Sequence, residues 1–353
     1  MKEKPLISIQ VLRGIASLIV FYHHLSGNFS KTCHITSPHA YFSYGFFGVD
    51  IFFVLSGFII YKSSQKLIGQ PHKLKAYFGK RFKRVFPIYW LITLPLLLTS
   101  FLIAKSNYVF SFKNILATLM LLPNHDAINA VSWTLSYELF FYIIFGLFIL
   151  SNRLVYFGLL ILGISLFNIF SGYFGDSLIH KSEFYFYVSP FNFEFFAGII
   201  IAKYFSELSF KPIYSLFLIL ISLVILIKFG PNILDDVTNI RVLTFGSVSI
   251  LILLSFLSLE NWSIANTQAQ NIKPSLVFLL KSTIEVLAKM GDASYMLYLI
   301  HFPIIIITNR IIASYTHSIL ISYCLEFLIL LFIPCMAYVL HKKTEKPLLQ
   351  KIK

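Results

Sequence analysis

Runs of about 20 mainly apolar residues recur along this chain, and a run of that length is what a helix needs to cross a bilayer. They fall at roughly 8–27, 44–61, 85–104, 131–150, 154–171, 190–206, 212–229, 241–259, 292–310 and 318–341. The remaining composition agrees. Only 12% of the 353 residues are charged, about half of what covers a soluble domain, and 57% are hydrophobic. The 38 Phe and 20 Tyr suit the aromatic belts of membrane proteins. The expected fold is an all-α integral membrane protein of about ten transmembrane helices. The stretch 112–122 is apolar but too short to span, so a re-entrant or interfacial helix is expected there. The start, Met-Lys-Glu-Lys followed by an apolar run, lacks a small-residue cleavage site and is interrupted by Arg13, so it reads as a retained first span.

The net charge of +14 would point to nucleic acid in a soluble protein. In a membrane chain the same excess marks cytoplasmic loops. With the N-terminus inside, the outer side carries Lys31, Lys105, Lys113, Lys181, Lys228, Arg241 and Arg310, while Arg13 lies within a span. The rest of the 29 Lys and Arg then fall inside. That asymmetry places both termini in the cytoplasm, which needs an even number of spans. No long polar segment interrupts the array, so residues 1–353 read as one transmembrane domain with no separate soluble domain. No internal repeat of the inverted transporter kind is evident. Cys33, Cys324 and Cys335 form neither a disulfide framework nor a metal-ligand pattern, and no metal is expected.

Ionisable side chains inside spans cost at least about 2.5–3.5 kcal/mol each on insertion scales, so each asks for a reason. Arg13, His24, Asp50, Glu138, Glu194, His301 and Glu326 are the candidates. Arg13 and His24 are three helical turns apart, on one face and roughly 16 Å apart along the axis. Arg13 would sit in the inner part of the bilayer and His24 near its outer end. Arg13 could instead snorkel to lipid phosphate, and His24, like His23, could be an interfacial histidine. Asp50, Glu138 and Glu194 each enter a span from outside, at a depth similar to His24. A carboxylate beside an imidazole fixes its tautomer and supports general-base work on a hydroxyl. The competing role for these acids is to satisfy the amides at their own helix starts, strongest for Glu194. His301 precedes Phe302 and Pro303, and could serve the carbonyls that a proline frees. Glu326 reads as a structural mid-span acid.

Residues 62–84 carry eight Lys and Arg and no acid. Lipid headgroups would attract such a stretch at about 1 kcal/mol per basic residue. A polyanionic cytosolic ligand would do the same. Arg81 and Arg84 face one way on a helix and can fork phosphate. Neither a Walker-type nor a dinucleotide-binding glycine motif is present, which argues against a nucleotide-driven pump.

Several elements, taken in order, resemble the acyltransferase-3 family of membrane proteins. Leu12-Arg13-Gly14-Ile15-Ala16 with His24 is similar to its arginine–ten residues–histidine signature. Gly48-Val49-Asp50-Ile51-Phe52-Phe53-Val54-Leu55-Ser56-Gly57-Phe58 is similar to its G-V-D-x-F-F-x-x-S-G-F element. Arg81 and Arg84 match its R-x-x-R pair, with Val85-Phe86-Pro87 following. Trp133-Thr134-Leu135-Ser136-Tyr137-Glu138 resembles its W-S-L-S-x-E element, with Thr134 and Tyr137 as departures. Ser294 to His301 and Glu345-Lys346-Pro347 resemble its closing segments.

The resemblance implies an enzyme that moves an acyl group, most simply acetyl, from cytosolic acyl-CoA to a hydroxyl of a surface polysaccharide (lipopolysaccharide among them) or its lipid-linked precursor. It would work in the inner (plasma) membrane of a bacterium, with membrane lipid, acyl-CoA and a glycan as partners, no nucleic acid, and no bound cofactor. His24 would be the base or transient acyl carrier, with Arg13, Asp50 and Glu138 as catalytic helpers. Lys80, Arg81 and Arg84 would hold the donor phosphates, with Arg13 along the pantetheine path. Phe52, Phe53, Ser56, Gly57, Trp133, Ser136, Tyr298 and His301 would line the passage. A transporter or flippase of a glycan or lipid-linked intermediate is the alternative that the charges and the basic stretch also serve.

Overall fold

In the computed structural model, residues 6–33, 43–103, 111–123, 128–173, 183–233, 238–266, 274–315 and 319–351 are described, and among them there is no strand. The longer helices are α1 (Ile7–Cys33), α2 (Gly48–Ser64), α3 (Leu74–Ile103), α4 (Phe112–Met120), α5 (Trp133–Leu150), α6 (Val155–Tyr173), α7 (Phe191–Ile200) and α8 (Pro212–Phe229). They continue as the short α9 (Thr238–Arg241), α10 (Ser247–Asn266), α11 (Pro274–Asp292), α12 (Ser294–Tyr315), α13 (Ile319–Leu340) and the short α14 (Lys346–Lys351).

Among the described residues, eight helical stretches are long and apolar enough to cross a membrane, and the pair Lys281–Asp292 and Ser294–Arg310, bent by 71°, makes up to nine. The sequence led us to expect about ten. The difference is α1, whose 27 residues give ample length but whose Arg13, His23, His24 and Lys31 dilute its apolar character. At nine residues α4 is too short to span, in keeping with its reading as a re-entrant or interfacial helix. The basic stretch is less of a loop than expected. Helix α3 begins at Leu74, well ahead of the expected span at 85–104, so Arg81 and Arg84 project from a continuous helix. Lys105 and Lys181, both assigned to the outer side, and the side chain of Cys33 lie outside the described residues.

The chain forms two compact units. The first contains residues 1–20, 41–66 and 156–294. Here glycines let backbones meet. A Cβ on Gly57 of α2 would stand 1.9 Å from the carbonyl oxygen of Phe195 in α7, and one on Gly198 would stand 2.0 Å from that of Val54. Each helix thus supplies the small residue against which the other packs, the usual device where lipid gives no hydrophobic drive for association. Gly14 and Gly291 repeat it for α1 and α11, with virtual Cβ contacts of 2.2 Å to Leu287 O and 1.9 Å to Gln10 O. Leu12, Ala16, Ile51, Leu55, Phe58, Phe245 and Val248 are among the buried side chains of its core. The open N-terminus of α1 is capped by Glu260 of α10, whose carboxylate accepts from Ile7 N at 2.8 Å and Ser8 N at 3.0 Å.

The second unit contains residues 21–40, 67–155 and 295–353. Helix α3 holds the short α4 through two aromatic donors. Tyr89 OH donates to Thr118 O at 2.7 Å and Trp90 Nε1 to Leu119 O at 2.8 Å. Pro303 inside α12 has no N–H to return to Leu299 O. Asn129 Nδ2 donates to that carbonyl instead, at 3.1 Å. Tyr298 OH bonds Val131 O at 2.6 Å and Thr134 Oγ1 at 2.6 Å, which ties α12 to the start of α5.

Candidate active site

The second unit brings together two histidines that are far apart in sequence. The ring of His24 on α1 lies 5.4 Å from that of His301 on α12, the two tilted by 31°. His24 is only partly buried, whereas His301 is 1% exposed. Around them are Phe302, 5.1 Å from His24, and Phe21 and Tyr298, 6.2 and 5.8 Å from His301. The Nδ1 of His301 bonds Leu297 O at 3.0 Å. A carbonyl can only accept, so Nδ1 carries the proton and Nε2 a lone pair. That Nε2 is buried with no hydrogen-bond partner. His301, expected to serve carbonyls freed by Pro303, does not do so, because Asn129 does.

A second group in the same unit gathers around α3. The Arg81 guanidinium lies between two tyrosine rings, 5.3 Å from the centre of Tyr77 and 5.1 Å from that of Tyr142. Cation–π attraction of this kind holds a planar cation in one orientation. One turn on, Arg84 lies within electrostatic reach of Glu138, Tyr142, Glu345 and Tyr295. Tyr142 OH donates to Glu138 Oε1, Tyr295 OH donates to Val85 O at 2.8 Å, and Glu345 bonds His341 Nδ1 at 2.8 Å. Glu138, expected as a helper of His24, therefore has its nearest described partners in the arginine group. Lys80, expected with the arginines, is exposed, as are Lys73, Lys75 and Lys83.

Asp50 takes a different partner from the imidazole expected for it. Within the first unit its carboxylate accepts from Arg241 Nε at 3.2 Å and Nη2 at 2.9 Å, and the two side chains are 0% and 1% exposed. The guanidinium also packs on Phe46 and Phe191, 4.8 and 5.1 Å from the ring centres. A buried carboxylate is tolerable only with a buried cation bonded to it, and Arg241 meets that demand. The sequence reading had counted Arg241 as an outer-side charge without giving it a partner, and the structure supplies one in Asp50. Glu194, also fully buried, lies beside this pair, and Gly246 leaves room for its carboxyl group.

The other expected residues divide between the units. Arg13 donates from Nη2 to Ser294 Oγ at 2.9 Å. Phe53 packs on Phe191 at 5.0 Å, Phe52 packs against the first core, and Ser56 is partly buried. Gly57 is at the α2–α7 contact. In the second unit Trp133 meets Tyr137 at 6.0 Å, Ser136 lies near Leu122 O, and Tyr298 joins Thr134. Reading the sequence missed Arg241, Tyr77, Tyr142 and Asn129. Tyr142 was within reach, since it lies four residues after Glu138 on one helical face. Asn129 left no signal, because its partner is a backbone carbonyl 170 residues away.

The described residues thus form an all-helical membrane chain that holds an imidazole pair and a tyrosine-stacked arginine in one compact unit. The family model for the acyltransferase domain of the acyltransferase-3 family matches residues 6–339. The chain belongs to that family and is a membrane acyltransferase. The exopolysaccharide production protein ExoZ of Rhizobium meliloti (strain 1021) is 29% identical over 277 residues, which cover 74% of this chain and 77% of that protein. No solved structure matches the chain.

Proposed function

We propose that this acyltransferase moves an acetyl group from cytosolic acetyl-CoA to a hydroxyl of a bacterial exopolysaccharide or its lipid-linked precursor, with both termini in the cytoplasm and α1 as an additional span. The observation that carries the reading is a partly exposed imidazole, His24, backed by a buried one, in the same compact unit as the tyrosine-braced Arg81 of α3. The printed name of the ExoZ relative supports a polysaccharide acceptor.

Arg81 and Arg84, with Lys80 and its neighbouring lysines, hold the donor's phosphates. Glu138 and Glu345 keep Arg84 in place before the donor arrives. Arg13 serves within the first unit, holding Ser294 at the start of α12. His24 removes the proton of the acceptor hydroxyl as the oxygen attacks the thioester carbonyl, a step in which a positioned base contributes about 10²–10⁴-fold. Asp50 serves by holding α2 through Arg241. Trp133, Ser136 and Tyr298, in the same unit as His24, border the route of donor or acceptor.

Cells carrying the wild-type chain are expected to show O-acetyl esters on their surface polysaccharide by NMR. His24→Ala cells are expected to lack them. Equal ester content in cells with and without the chain overturns the reading. Transport of unmodified glycan that is indifferent to CoA would replace it with the flippase alternative.

A further inference from the structure

His301 carries a buried polar atom with an unmet requirement next to the proposed base. Three features of His301 need a joint explanation. Its Nδ1 is committed to Leu297 O, which fixes the tautomer and turns a lone pair outward on Nε2. That Nε2 is buried and receives no hydrogen bond. Of the rings around it, Phe21 and Phe302 have no donor, and Tyr298 OH is engaged by Val131 O and Thr134. The remaining ring is His24.

A purely structural role accounts poorly for a histidine here. The carbonyl that Pro303 frees is satisfied by Asn129. Leu297 O is already the ordinary helical acceptor for the amide of residue 301, so Nδ1 adds a second donor where one suffices. A phenylalanine would fill the same space without burying a bare lone pair.

We propose that His301 is the positioning residue of the proposed base, its Nε2 accepting the N–H of His24 so that the other nitrogen of His24 faces the acceptor hydroxyl with a free lone pair. The spacing fits. Two imidazoles joined by an N–H···N bond of about 3 Å have ring centres roughly 5.3 Å apart, and these are 5.4 Å apart. The planes are tilted by 31°, and the bond requires the two rings to turn so that the His24 N–H meets Nε2. An imidazole orients its neighbour without placing a further ionised group in the membrane, where charge is expensive. In the transfer step the hydroxyl proton passes to His24 as the new C–O bond forms. The thioester C–S bond then breaks, the thiolate takes the proton from His24, and both histidines return to their starting state with ester and thiol as products.

The inference rests on the acyl-transfer reading above, and two kinds of measurement separate them. The first uses the full-length protein in membranes, with acetyl-CoA as donor and the host cell's own surface polysaccharide as acceptor. His301→Gln places an amide oxygen where Nε2 lies, and His301→Asn keeps a polar atom only where Nδ1 lies. His301→Gln is expected to keep kcat within about tenfold of wild type. His301→Asn is expected to lose roughly 10²-fold in kcat with KM for acetyl-CoA unchanged. Wild-type kcat in His301→Asn, or equal loss in both variants, overturns the proposal. The second measurement is ¹⁵N NMR of histidine-labelled protein without substrate. The His301 Nε2 resonance is expected to shift when His24 is replaced by Phe, and an unchanged resonance overturns the pairing. If that shift is seen while the wild type transfers no acetyl group, the pairing stands and the donor and acceptor assignment falls.

Discussion

Single side chains here do work that their positions in sequence only partly disclosed. Asp50 and Arg241 form a fully buried ion pair, and removing one member of such a pair strands a charge at a cost of about 3–5 kcal/mol. Asp50→Leu and Arg241→Met are each expected to lower the melting temperature in detergent sharply, while the double variant recovers most of the loss. Equal melting of single and double variants would contradict the pairing. Arg81 gives a different kind of prediction. A lysine keeps the charge but neither the planar stacking on Tyr77 and Tyr142 nor the donor fork. Arg81→Lys is therefore expected to raise KM for acetyl-CoA roughly tenfold or more with kcat little changed, read from steady-state kinetics. The candidate acids, bases and arginines were legible in the sequence because charge inside an apolar run is conspicuous. Their partners were less so. Asp50 demanded a cation, yet the cation, Arg241, lay at a span boundary where it passed for a loop charge.

At the level of elements, the length of apolar runs located most of the long helices, because such a run in lipid has few other options, but α11 (Pro274–Asp292) fell in what read as a segment between spans. The start of α3 was placed too late, since the amphipathic turn from Leu74 to Arg84 is not apolar and only propensity and packing make it helical. The proline in α12 illustrates how an element relies on another. With Asn129→Ala, Leu299 O loses the donor that replaces the missing amide, and an unsatisfied buried carbonyl costs about 1–3 kcal/mol. The expected outcome is a matching loss of thermal stability, with Asn129→Gln unable to restore it, because its longer arm overshoots. At the other end of the scale of visibility, Glu260 caps α1 from far along the chain. Glu260→Ala is expected to cost about 0.5–2 kcal/mol, the range for a lost helix N-cap, measured by thermal or denaturant unfolding.

For the molecule as a whole, the charge asymmetry behind the proposed topology was plain in the sequence, while the partition into two compact units was not. The unit boundary falls within α1, between Val20 and Phe21, inside an unbroken helix with no change of composition to mark it. The division of candidate residues follows it: His24, His301, Glu138, Arg81 and Arg84 belong to one unit, Arg13, Asp50 and Gly57 to the other. Cysteine accessibility in intact cells tests the topology directly. A cysteine replacing Lys73 is expected to be protected from an impermeant maleimide and one replacing Asn28 to react. Labelling of both from the same side would remove the premise that donor and base approach from opposite leaflets.

The facing glycines of α2 and α7 have a mechanical consequence. Each fits against one carbonyl of the partner, so a slide by one turn would drive a side chain into the position now open at Gly57 or Gly198. The joint is keyed. Any opening that admits a bulky sugar must carry these two helices as a single rigid body, with the movement taken up at seams lined by larger, more compliant side chains. A disulfide engineered across that joint should accordingly leave turnover intact.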